Sequence, residues 1–260
     1  MNDRRPNPGW LVLMSRIAVV VLLALAASCS SGSGNNEASL LGCGLPTAAA
    51  QPGNILVNPG FEEGDGAPWY SKDGWGTHFT ISDARAHSGK QSVLLRPRSA
   101  DSPPGETVRV YGAVQDACPE TFPEVVRGHY YVESWQQGTP HQYLQFVTIV
   151  FKADNIPADV AMAENHQIRY ILAGSETQPT YISNARYVML STKQPKIGEW
   201  VPFEFHPRDD FEALWGEVPQ GYDNVAFFFE ARWDDRQPTD GVSAANVYYD
   251  DLYIGPEDGG

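Results

Sequence analysis

Apolar residues recur at every second position along most of this chain. Thr77, Phe79 and Ile81 alternate with His78, Thr80 and Ser82. Val201, Phe203 and Phe205 alternate with Pro202, Glu204 and His206, and Val225, Phe227 and Phe229 with Ala226, Phe228 and Glu230. Tyr143, Gln145, Val147, Ile149 and Phe151 interleave with Leu144, Phe146, Thr148 and Val150, a nearly continuous apolar run. A period of two is the signature of strands, and further strands are predicted over residues 92–96, 107–114, 130–136, 167–173, 181–191 and 247–254. The 24 Gly and 20 Pro punctuate them as turns. Many short strands separated by turns predict an all-β sandwich. Only one helix is expected: Phe211, Leu214, Trp215 and Val218 fall on one helical face, with Asp209 or Asp210 as its cap.

The first 52 residues follow a different pattern. Arg16 precedes an unbroken apolar run over residues 17–27, too short to span a bilayer but suited to the core of a signal peptide. Leu25-Ala26-Ala27-Ser28-Cys29 resembles a bacterial lipobox, which implies cleavage after residue 28 and lipidation of Cys29. Ser30 rather than Asp after that cysteine points to the outer membrane, periplasmic or surface-exposed. Residues 30–36 are Ser, Gly and Asn only, the composition of a flexible tether, which is extended here to residues 29–52. The folded domain is expected over residues 53–256. In an exported chain the two remaining cysteines, Cys43 and Cys118, are expected to pair.

Composition narrows the partners. The formal charge is −14, and removal of residues 1–28 takes away Arg4, Arg5 and Arg16 with Asp3, leaving the chain two charges more negative. Such a surface repels phosphate backbones, so nucleic acid is not an expected partner, and neutral glycans fit better than polyanions. Polyanions would need Arg96, Arg98 and Arg109 to form a local basic patch. Seven Trp and twelve Tyr are rich for a domain of this size, as either large core residues or platforms for sugar rings.

Two segments near the ends of the domain carry the most specific chemistry. Asn58-Pro59-Gly60-Phe61-Glu62 pairs a turn with a carboxylate, and Tyr248-Tyr249-Asp250-Asp251-Leu252-Tyr253-Ile254 sets two acids in an apolar strand. Acids in a buried strand need neutralising, and a hard cation with oxygen ligands does this. Strict alternation puts Asp250 on the face of Leu252 and Ile254, pointing inward, and Asp251 on the face of Tyr249 and Tyr253. The alternative is two solvated acids at a sheet edge without an ion.

With His87-Ser88-Gly89-Lys90 between them, these segments resemble the opening, loop and closing motifs of jelly-roll carbohydrate-binding modules of families 4, 9 and 22. The resemblance implies a galactose-binding-like β-sandwich and a structural Ca2+ held by Glu62, by Gly60 and Lys90 through backbone oxygens, and by Asp250 or Asp251. Tyr131-Val132-Glu133-Ser134-Trp135 and Phe228-Phe229-Glu230 are most similar to strands of the xylan-binding family 22 modules. That similarity implies polysaccharide held on Tyr131, Trp135 and Phe228, with Glu133, Gln137 and Glu230 bonding its hydroxyls on one shared face, by a monomer. The plain alternatives are a Trp135 that caps the core and a Glu230 paired with Arg232. Residues 152–196 stand where the family carries a short connection, an insertion that would wall off, extend or replace the groove.

Enzyme readings find less support. Hydrolysis of a glycosidic bond needs two carboxyls about 5–9 Å apart. Neighbours such as Asp209 and Asp210, or Asp234 and Asp235, point to opposite faces, which leaves only Glu133 with Glu230. The six histidines show no His-Glu-x-x-His spacing, and no Gly-x-Ser-x-Gly elbow occurs. A lyase using His166 and Tyr170 is the remaining enzymatic alternative, and an adhesion lipoprotein with a protein partner the non-enzymatic one.

Overall fold

The computed structural model describes residues 53–71, 79–156 and 165–259. The signal peptide, Cys29, the tether and Cys43 lie outside the described residues; Cys118 is disulfide-bonded.

Among the described residues ten strands run in the order β1 (Thr80–Ser82), β2 (Ser92–Leu95), β3 (Arg109–Ala117), β4 (Val125–Gln136), β5 (Gln142–Phe151), β6 (Asn165–Ala173), β7 (Ala185–Met189), β8 (Trp200–Phe205), β9 (Asn224–Trp233) and β10 (Ala244–Gly255). They form two five-stranded sheets, β1-β2-β10-β4-β8 and β3-β9-β5-β6-β7, a jelly-roll β-sandwich. All pairings within the sheets are antiparallel except β6 with β7. The inward positions of both sheets supply one core, in which Val247, Tyr249, Leu252 and Ile254 of β10 meet Phe227, Phe229 and Trp233 of β9. The alternation along β9 is the one read from sequence, and the large side chains fill the space between sheets spaced about 10 Å apart.

The insertion is part of this sandwich. Its residues 165–173 and 185–189 add β6 and β7 to the edge of the second sheet, so it extends that sheet.

The helix α1 (Pro207–Trp215) starts earlier than expected. Pro207 occupies its first turn, His206 is the residue before it, and no side chain caps it. Asp209 and Asp210 therefore sit inside the first turn, where their charge favours the positive end of the helix dipole, and cap nothing. Gly216, at φ 88°, ends it in the left-handed conformation that glycine adopts freely.

Two β-bulges decide which way the candidate site residues face. Along β4 and β10, Asn246 pairs with Ser134 but Val247 with Val132, so Glu133 is the extra residue. Farther on, Asp250 pairs with His129 but Tyr253 with Arg127, which leaves Asp251 and Leu252 opposite Gly128 alone. Asp251 takes φ 49°, a left-handed conformation open to Asp. Gly128 is required there, because a Cβ would lie 2.6 Å from the Leu252 side chain.

Candidate functional site

The first motif is built by its asparagine and phenylalanine. Asn58, at φ 51°, donates to the Glu63 and Ala67 carbonyls and accepts from the Glu63 N–H. Phe61 is fully buried against Trp69 and Phe229, with ring centroids 5.6 and 5.8 Å away. With Phe61 plugged into the core, the next residue, Glu62, projects to the loop before β2. Its Oε1 accepts the N–H groups of Lys90 and Gln91 at 2.7 and 2.8 Å. Gly89 is obligatory in that loop: it sits at φ 64°, and a Cβ would lie 2.3 Å from the Glu62 carboxylate. The segment before the motif is extended beside β10 through Ile55 N–H to the Ile254 carbonyl, outside the named strands.

The closing acids meet the same loop. Asp250 is fully buried and accepts the N–H of His87 at 2.7 Å and that of Asp251 at 2.8 Å. Asp251 accepts the Ser88 hydroxyl at 2.6 Å and contacts His87 Nδ1 at 2.6 Å. A Cβ on Gly60 would lie 3.8 Å from Asp250 Oδ1, 3.9 Å from Asp251 Oδ1 and 3.9 Å from Glu62 Cγ, so three acids ring this glycine. Among the described residues neither Glu62 nor Asp250 has a Lys or Arg ion pair. Burial, reinforced by Asp251 and opposed by backbone N–H groups, pushes the Asp250 carboxyl up to about 6. An all-oxygen ring around a buried acid fits a hard cation.

The expected facing of the two aspartates needs correction. Strict alternation grouped Asp250 with Leu252 and Ile254. The bulge inverts the phase between them, so Val247 and Tyr249 are core residues before it and Leu252 and Ile254 after it. Asp250 continues the phase of Tyr248, which belongs to the outer cluster with Leu94 and Tyr131, and is buried by the loop around His87.

The expected sugar-binding face also needs correction, because its six residues do not share a face. Tyr131 and Glu133 lie on the outer face of the first sheet. Tyr131 packs on Tyr248 and Trp200, with the Arg85 guanidinium 4.5 Å from its ring centre. Glu133 accepts from Arg85 at 3.1 Å and from Asn246 at 2.9 Å. The Asn246 amide holds the Glu133 carboxyl below its ordinary value, with burial opposing and Arg85 adding to the effect. Trp135 lies past the first bulge, in register with the core residue Ala245, and packs on the core. Its indole N–H is shared by Gln137 at 2.7 Å and Gln194 at 3.0 Å. Phe228 and Glu230 are on the outer face of the second sheet, across the sandwich from Tyr131.

Around Glu230 the structure shows the Arg232 pairing weighed from sequence and adds Gln145, Tyr143 and Asp234 to it. Arg232 bonds Glu230 at 3.3 Å and also bonds Asp234, all three nearly fully buried on one face of β9. Gln145 donates to Glu230, and Tyr143 donates to Asp234. Burial pushes the Tyr143 phenol well above its ordinary value, so it remains a donor. For Arg232, burial works against the charge, but Tyr143, Asp234 and Glu230 outweigh it. Register carries the face outward along Phe228, Val147, Arg169 and Tyr187, the last two half-buried and supplied by the insertion. Gly112 adjoins Glu230 because a Cβ there would meet the Phe229 carbonyl at 2.4 Å. Four buried polar atoms here have no partner among the described residues: Gln145 Oε1, Arg169 Nη1, Tyr187 OH and Arg232 Nε. A signal was present in the sequence, an acid, a base and an acid at positions 230, 232 and 234 of an aromatic strand.

The enzymatic pairings do not survive the geometry. Glu133 and Glu230 are on outer faces of different sheets and cannot flank one bond. His166 is buried beside Trp215, and Tyr170 is stacked on Phe205 in the core at 3.6 Å.

No family model and no curated protein matches the chain. Solved structures do. A family 61 module in complex with β-1,4-galactotriose aligns at TM-score 0.40 and 14% identity over 77% of this chain and 97% of that one. The CBM22-1 xylan-binding domain from Paenibacillus barcinonensis Xyn10C aligns at TM-score 0.38 and 16% identity, over 80% and 97%. The K3 cleaved adhesin domain of Lys-gingipain from Porphyromonas gingivalis aligns at TM-score 0.38 and 14% identity, over 77% and 98%.

Proposed function

We propose that this protein binds polysaccharide without cleaving it, on the outer face of the second sheet. The observation that carries this reading is the set of unpartnered polar atoms on Gln145, Arg169, Tyr187 and Arg232, beside the aromatic ring of Phe228. A buried polar atom without a partner costs about 1–3 kcal/mol, and a sugar hydroxyl satisfies both donors and acceptors. Arg169 and Tyr187 are the half-buried members of this face, and Glu230, Gln145 and Arg232 are its buried floor. The strongly acidic chain favours a neutral glycan of plant or microbial origin. The test is retention on insoluble xylan, galactan and cellulose. Tyr187→Phe and Arg169→Ala are expected to weaken it, and Tyr131→Ala to leave it unchanged. Equal retention by all three variants would dismiss this face, and released oligosaccharide would replace binding by catalysis.

A structural Ca2+ belongs to the same proposal, held by Glu62 and Asp250 with backbone oxygens of Gly60 and Lys90. Its role is to neutralise the buried acid where the two ends of the domain meet. The lipobox-like segment at Cys29 adds an outer-membrane lipid anchor to the reading. Mass spectrometry of the mature N-terminus tests it, with unmodified Cys29 as the contrary result.

A further inference from the structure

Beside the acids around Gly60 lies a cluster of different chemistry. His87, His129 and Asp251 each offer one ligand atom, all within 4.8 Å of one another. The two imidazoles come from separate elements, the loop before β2 and strand β4, yet their rings stack at 3.7 Å with planes 15° apart. Neutral imidazole is the form that ligates metals. His129 Nδ1 is buried and has no partner. Asp251 is oriented by the Ser88 hydroxyl at 2.6 Å, the kind of supporting bond that fixes a ligating carboxylate. The edge of Trp200 stands 5.5 Å from the His87 ring and backs it.

We propose that His87, His129 and Asp251 form a second cation site, for a borderline divalent ion such as Zn2+. Two nitrogens and one carboxylate suit zinc, whereas the all-oxygen ring of Glu62 and Asp250 suits a harder ion. Three protein ligands leave one position of a tetrahedral ion to water, and the partly exposed His87 and Asp251 side chains open that position to solvent. This assignment gives the adjacent aspartates separate ions: Asp250 turns to the ring around Gly60, and Asp251 to the imidazoles. The bulge that lifts Asp251 out of register is what separates them. The proposal stands on this cluster alone and does not depend on the glycan reading.

Calorimetric titration of ZnCl2 into the full chain, kept saturated with Ca2+, tests it. One Zn2+ per chain is expected, weakened about tenfold or more by His87→Gln or His129→Gln and unchanged by His206→Gln. In the unsubstituted protein, Zn2+ is expected to shift the imidazole NMR signals of His87 and His129 and leave those of His141 and His206 in place. Absence of Zn2+ binding up to about 1 mM, equal affinity in both histidine variants, or shifts at other histidines alone would overturn the proposal.

Discussion

The surroundings of Glu133 and Glu230, on the two outer faces of the sandwich, are opposites in hydrogen bonding. On the first sheet, Glu133 is closed off by Arg85 and Asn246, while Tyr131, Tyr248 and Leu94 form a small apolar cluster backed by Trp200. On the second, Glu230, Arg232 and Asp234 share a buried network whose neighbours retain unmet donors and an acceptor. Where Glu133 is satisfied by its neighbours no ligand is needed, and around Glu230 the orphaned atoms would be stabilised by one. Aromatic content alone would not distinguish them, since each carries large rings. The sequence motifs group Tyr131, Glu133, Trp135 and Gln137 with Phe228 and Glu230, and the unpartnered polar groups lie on the side of the last two.

Substitutions that break this contrast should differ most in stability. Arg232→Leu strands two buried carboxylates and is expected to destabilise the fold by about 3–5 kcal/mol in urea denaturation. Arg85→Leu, at a half-exposed pair on the first sheet, should cost no more than about 1 kcal/mol. Similar losses for both would erase the distinction between the faces.

Next in size is the cation expected where the two ends of the domain meet. Calcium at 100 times its dissociation constant should stabilise the protein by about 3 kcal/mol, a gain abolished by EGTA or by Glu62→Ala. An unchanged melting temperature on chelation would remove the ion from the account.

A smaller effect should appear with pH in the cation-free protein. The Asp250 carboxyl is raised from 3.8 to about 6 on folding, so the folded state binds its proton more tightly than the unfolded chain. That stabilisation is complete below about pH 4 and is lost as pH rises through about 6. The displacement corresponds to at most about 3 kcal/mol. Thermal denaturation at pH 4.5 and 7.5, with and without Ca2+, should show calcium stabilising more at the higher pH. A pH-independent calcium effect would contradict the role given to Asp250.

The smallest expected effect sharpens the comparison at the level of one atom. Tyr187→Phe removes a single unpartnered hydroxyl and should lower glycan affinity about tenfold, leaving the fold intact. Trp135→Ala, by contrast, should lower stability and leave affinity unchanged, because that ring packs on the core.

Much of this architecture was legible in the chain. The period-two pattern located β5, β8 and β9, because burying one face of a strand imposes alternation on its residues. The three motifs that resemble family signatures also meet in space, at Glu62, at the loop around His87 and at the closing aspartates. Local chemistry carries that information: Phe61 must be buried, so Glu62 must not be. The insertion's strands were recognisable as strands, but their position on the second sheet's edge, and so the placement of Arg169 and Tyr187, was not.

Alternation orders residues along one strand and is silent about which sheet the strand joins. Nothing in the spacing between Tyr131 and Phe228 tells that β4 and β9 lie in different layers; long-range pairing decides that. Nor does a period of two survive an extra residue. The bulges at Glu133 and at Asp251 turned Trp135 inward and separated Asp250 from Leu252, because a single inserted residue reverses every facing beyond it. The strands and their motifs were therefore determined by the sequence itself, and the choice of face was made only when the sheets assembled.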